Sequence, residues 1–153
     1  MNAVETMIDA FSNKLAVIEC DLYKNTKRYG IYADGHILIE RRMSNSYKKV
    51  VLLEEYLHYK HTAGDILNES TLSNKKQENF VRRKNYETLF SWECIVRAYY
   101  LGFKYYHDVA EYFDLPESFV REAVEHYRRT HEKMWDVGEY IIYLDNYIEV
   151  YKK

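Results

Sequence analysis

The chain is poor in the residues that break, staple or anchor a fold. It has one proline and five glycines in 153 residues. No Gly/Pro-rich stretch therefore marks a linker, and the length suits one compact domain spanning 1–153. Two cysteines, Cys20 and Cys94, are too few for a disulfide scaffold and read as free thiols of a reducing compartment. No apolar run approaches the ~20 residues of a membrane-spanning helix. The start of the chain carries Glu5 and Asp9 and lacks the basic opening and long apolar segment of a signal peptide, so a cytoplasmic location is expected and no membrane partner. The net charge is -2, which leaves no global basic field to draw in nucleic acid and makes a DNA partner unlikely on charge. A Ser–His–Asp set and a Gly-rich phosphate loop are both missing.

What the chain does have is apolar and aromatic mass. Hydrophobic residues make up 47%, and 17 tyrosines stand against six phenylalanines and two tryptophans. Tyrosine carries a polar tip, so many of these belong at the edge of a core. Val4, Met7, Ile8, Phe11 and Leu15 recur at helical spacing, which predicts a helix over 3–15. The period then changes. Residues 30–40 read as a hairpin turning at Asp34-Gly35. A helix follows, capped by Ser44 or Ser46 and closed near 62–64 by Gly64. Ser73-Asn74 looks like the cap of another helix, roughly 75–89. Shorter helices are expected at 91–102, 105–113 and 117–132, with a break at Asp114-Leu115-Pro116. The segments 139–144 and 147–151 are β-branched and aromatic and predict a terminal hairpin about Asp145-Asn146. The expected fold class is α+β: a small antiparallel sheet packed on helices, a helical C-terminal half and a terminal β-hairpin.

Chemistry concentrates in Glu54-Glu55-Tyr56-Leu57-His58, the H-E-x-x-H pattern with glutamate in place of the first histidine. Residues four apart on a helix lie one above the other, so Glu54 and His58 can grip one ion. Glu55 beside them is the candidate general base. A third ligand must come from another element, because one helix face cannot surround an ion. Glu78, 20 residues after His58, is the best candidate, with His61 and Asp65 as possible extra ligands. Zinc accepts histidine nitrogen and carboxylate oxygen; another divalent metal is the alternative, since two glutamates make the donor set anionic. The competing reading is an exposed helix whose early Glu-Glu pair suits the helix dipole.

Leu53-Glu54-Glu55-Tyr56-Leu57-His58-Tyr59, then Thr62-Ala63-Gly64-Asp65-Ile66-Leu67, resembles the ImmA/IrrE family of metallo-endopeptidases, in particular its phage-like branch in Gram-positive bacteria. The likeness extends upstream to Gly30–Ile37 and downstream to Ser73–Glu78, Arg82-Arg83 and Tyr86-Glu87. Leu57 stands where a glycine is common, and Asn85 and Ser91 where alanine and proline are usual. The resemblance implies a zincin-like core with the metal-site core over 1–103 and a helical segment plus hairpin over 104–153. It implies Glu54, His58 and Glu78 as zinc ligands, Glu55 as the catalytic base, and zinc-dependent cleavage or inactivation of a helix-turn-helix repressor of a phage or mobile element. The alternative on the same scaffold is a non-catalytic, antirepressor-like protein that binds the repressor without cutting it.

Residues 106–120 offer a third possibility, a DNA-binding regulator. They look like a helix-turn-helix, yet Arg121, Arg128 and Arg129 are interleaved with Glu117, Glu122 and Glu125, a poor match to phosphate. Val109, Ala110, Phe113, Leu115, Phe119, Val120 and Ala123 more simply make a small helical core. Lys75-Lys76 and Arg82-Arg83-Lys84 read as a solvated face. His36, His107, His126 and His131 read as structural or exposed, and Cys94 as buried and inert.

Overall fold

The computed structural model describes residues 2–64 and 71–153, with side chains at 2–61 and 75–153. The fold is α+β, with small sheets and a helical majority. It divides into two compact units, Met1–Asn85 and Tyr86–Lys153. The division lies inside one helix, between Asn85 and Tyr86.

The first unit opens with α1 (Ala3–Phe11). Asn2 caps it: its side chain accepts from the Glu5 backbone N–H at 2.8 Å, and the Glu5 carboxylate accepts from the Asn2 backbone N–H at 3.0 Å, a reciprocal capping box. The helix ends at Phe11, short of the expected residue 15, because the chain turns at Ser12 to enter a strand the periodicity did not reveal, β1 (Ala16–Cys20). A one-turn helix, α2 (Tyr23–Thr26), follows. The expected hairpin is present as β2 (Gly30–Ala33) and β3 (His36–Glu40). Its turn residues Asp34 and Gly35 both take positive φ, 47° and 77°, the backbone that two-residue hairpin turns require. The sheet order is β1-β3-β2. β2 and β3 pair antiparallel, and β1 adds to β3 in parallel with Ala16 opposite His36, so the first sheet is mixed.

α3 (Asn45–Gly64) crosses this sheet. Ser44 caps it, its carbonyl accepting from Lys48 N–H at 3.0 Å. Leu15, Ile37, Ile39 and Leu52 form the core between strands and helix, and Phe11 of α1 stacks on Tyr56 of α3 with ring centroids 3.9 Å apart. α4 (Thr71–Leu89) begins earlier than its expected start, so Ser73-Asn74 lie within its first turn.

The second unit contains α5 (Trp92–Tyr100), α6 (Tyr106–Phe113), α7 (Glu117–His131) and three antiparallel strands, β4 (Met134–Val137), β5 (Tyr140–Tyr143) and β6 (Glu149–Lys152). The terminal hairpin is real, with Tyr143 opposite Glu149, but its loop is longer than two residues. β4 is an extra strand that turns into β5 at Gly138. A Cβ there would sit 2.7 Å from the Trp92 ring, so the position accepts only glycine. Phe90, Val120, Val124, Tyr127, Ile142 and Leu144 are almost fully buried. The Tyr127 hydroxyl donates to the Phe90 carbonyl at 2.7 Å, which meets the polar need of a buried ring. No helix among the described residues is long and apolar enough to cross a membrane.

Candidate metal centre

Two helices of the first unit build the site. In α3, Glu54 and His58 are one turn apart and half-buried. Glu78 of α4 reaches them from outside, its carboxylate 3.5 Å from His58 Nε2 and its side chain 53% exposed. One donor atom from each of Glu54, His58 and Glu78 lies within 4.8 Å of the other two. Ligands on a tetrahedral ion with bonds of about 2.1 Å stand about 3.4 Å apart, so the His58–Glu78 pair is already at coordination spacing. The donor set of one imidazole and two carboxylates suits zinc and other divalent ions. The three residues the pattern named as ligands thus do meet.

Glu55 follows Glu54 on α3 and lies against β2. It is 8% exposed and packs on the backbone of β2: a Cβ at Gly30 would sit 2.5 Å from Val51 Cγ1, 3.0 Å from Glu55 Cγ and 3.3 Å from Glu55 Oε1. Glycine at 30 is what lets the strand lie this close to the helix. Burial is the main cause that pushes the Glu55 carboxyl up to about 7, with the negative charge of Glu54 and then Glu78 adding to it; Arg28 and a hydrogen bond from the Tyr32 backbone N–H act against the rise. Glu55 is therefore a desolvated carboxyl close enough to the Glu54 and Glu78 carboxylates to feel both.

Asn85 ties the two helices together two turns beyond Glu78. Its Nδ2 donates to the Val50 carbonyl at 3.1 Å, one turn before Glu54. The residue is 3% exposed and its Oδ1 has no hydrogen-bond partner among the described residues, a polar burial that costs about 1–3 kcal/mol. In sequence, Asn85 stood out only as a residue where alanine is usual in the family the chain resembles, and Gly30 not at all as the contact that seats Glu55. The one available signal for Gly30 was a glycine opening a strand.

The remaining candidates fall elsewhere. His61 is not part of the cluster; it stacks on Phe80 of α4 at 4.7 Å. Asp65 lies outside the described residues. Lys75, Lys76 and Arg82–Lys84 are exposed, with Arg83 and Lys84 over the Phe80 ring. In the second unit, Val109, Ala110, Leu115, Phe119, Val120 and Ala123 are buried as a helical core. Arg121 pairs with Glu117 at 2.7 Å and Arg128 with Glu125 at 2.5 Å. Cys20 and Cys94 are free thiols, both half-buried, so Cys94 is less enclosed than expected.

No protein-family model, curated protein or solved structure matches the chain. The functional reading therefore rests on the site itself.

Proposed function

We propose that the protein is a divalent-metal-dependent endopeptidase, of the kind its motif helix resembles, acting on a helix-turn-helix repressor of a phage or mobile element. The observation that carries this reading is the convergence of Glu54, His58 and Glu78 donor atoms within 4.8 Å, beside a carboxyl, Glu55, that is 8% exposed.

Glu54, His58 and Glu78 would hold the ion, leaving a coordination position open. The bound ion would supply Lewis acidity toward a peptide carbonyl and make water a better nucleophile. The chain's own part is proton traffic. Glu55 takes a proton from the attacking water as the new C–O bond forms, then delivers it to the leaving amine nitrogen as the C–N bond breaks. The apolar packing of Glu55 against β2 holds its carboxyl in one place for both transfers.

The test pairs metal content with cleavage. Purified protein is expected to carry about one equivalent of divalent metal. Glu55→Gln is expected to retain the metal and lose cleavage of the repressor encoded beside it. Full cleavage by Glu55→Gln would sink the mechanism, and failure of the wild type to retain any divalent ion would sink the site.

The charge of the donor set favours one second reading. Two carboxylates accompany one imidazole, and a donor set this anionic reduces the acidity an ion confers on water. A repressor-binding protein that holds its partner without cutting it would use the same scaffold. Stable co-elution with intact repressor, unchanged by Glu55→Gln, distinguishes it.

A further inference from the structure

The second unit contains a cavity of about 670 Å³ that the peptidase reading does not use. The volume falls in the range of small-molecule sites, roughly 300–1,000 Å³. Its inner wall is apolar, formed by side chains such as Phe90, Ile95, Val120 and Val124 that are otherwise shut away from solvent. Its rim is aromatic: Tyr105 and Tyr147 line it and are 71% and 81% exposed. Such rings give a rigid contact area at small entropic cost.

Charge decides what fits. The lining includes two cations, Lys104 and Arg128, and no aspartate or glutamate. Arg128 is committed in part: its Nε donates to the Leu144 carbonyl at 2.7 Å, and its Nη1 bonds Glu125 at 2.5 Å. The Lys104 ammonium has no partner among the described residues. Lys104 stands exposed at the mouth, where it also borders Asp108 and Glu117, so it can meet the charged end of a ligand whose body lies against the apolar wall.

The geometry points to a binding site for an amphiphilic organic anion, an aliphatic or aromatic body seated against Ile95, Val120 and Val124 with one carboxylate or sulfonate at Lys104. The site is independent of the metal centre, since every lining residue belongs to the second unit.

The probe is 8-anilinonaphthalene-1-sulfonate, titrated into the full-length, metal-loaded protein at neutral pH and followed by its fluorescence. One saturable site is expected, emptied by decanoate. Decanol, which has the same chain without the charge, is expected to compete at least about tenfold more weakly. Lys104 is exposed, so Lys104→Glu should fold normally, and it is expected to weaken probe binding by about tenfold or more. Ala98→Leu, which fills the cavity from its wall, should reduce binding without changing the charge. A signal that does not saturate, as from loosely packed apolar surface, would overturn the site. So would equal binding by wild type and Lys104→Glu, or equal competition by decanol and decanoate. Metal content is read on the same samples and is expected to be the same in every variant, so loss of the metal centre and loss of this site are told apart.

Discussion

The two units bury different kinds of residue. Among the described residues, the buried polar and charged side chains are Glu40, Glu55 and Asn85, and all three lie in the first unit. The second unit closes on Phe90, Val120, Val124, Tyr127, Ile142 and Leu144, with the Tyr127 hydroxyl satisfied by the Phe90 carbonyl. A fold that only needed stability would avoid the first pattern, because a buried carboxyl and an unpaired amide oxygen both oppose folding. The first unit accepts the burial of Glu55 next to Glu54 and that of Asn85 two turns along α4 from Glu78. The second has the apolar interior of a packing module, opened to solvent at the cavity lined by Phe90, Ile95, Val120 and Val124.

The sharpest break of this contrast is His58→Ala. It should abolish retention of divalent metal through gel filtration, read by elemental analysis, and remove the metal-dependent rise in melting temperature, which is worth about 2.7 kcal/mol when the free ion is at a hundred times its dissociation constant. Trp92 and Trp135 are the two tryptophans and both lie in the second unit, so the native tryptophan emission should stay as in the wild type. A shifted emission in His58→Ala would mean that the second unit senses the ligand.

Leu144→Ala tests the opposite side. Leu144 is 1% exposed, and its truncation should cost about 2–5 kcal/mol of stability with no change in metal stoichiometry. Gly30→Ala should come next. The added methyl would meet Val51 Cγ1 at 2.5 Å, and overpacking of this kind costs about 1–3 kcal/mol. Because the same contact seats Glu55, cleavage should fall more than metal binding does. Asn85→Ala removes a cross-helix hydrogen bond and an unpaired acceptor together, so its net effect on denaturant stability should be small, about 1 kcal/mol, while metal affinity weakens as Glu78 loses its brace.

The smallest effect is one of pH. Glu40 accepts the Tyr23 backbone N–H at 2.9 Å and that of Arg42 at 2.8 Å, and these bonds hold its carboxyl below the usual carboxylate range. A depressed folded-state value means the stabilisation is full above the unfolded-state value of about 4.5 and is lost as pH falls through the folded-state value. Glu40→Gln should therefore flatten the acid limb of the stability–pH curve, measured by urea unfolding of the apo protein. An unchanged limb would assign that slope to other groups.

Much of this was legible in the sequence because it is local. Asp34-Gly35 carries its own turn chemistry, and the i, i+4 spacing of Glu54 and His58 sets one above the other on any helix. β1 was not legible: Ala16–Cys20 is short, has no clear alternation and is defined by parallel pairing with β3, a contact no local pattern encodes. β4 was hidden for the same reason, since Met134–Val137 becomes a strand by pairing with β5. The start of α4 was misjudged because Ser73-Asn74 is as acceptable in a first helical turn as at a cap.

By itself the sequence determined the α+β class, the helix that bears Glu54, Glu55 and His58, and the candidacy of Glu78. Only the tertiary structure decided that Glu78 comes within 3.5 Å of His58 while His61 turns away to Phe80. Only it decided that Glu55 is buried against Gly30 and that Asn85 braces the two helices. Spacing along one helix is a property of the backbone repeat, whereas the approach of a second helix and the drying of a carboxyl depend on how distant side chains pack.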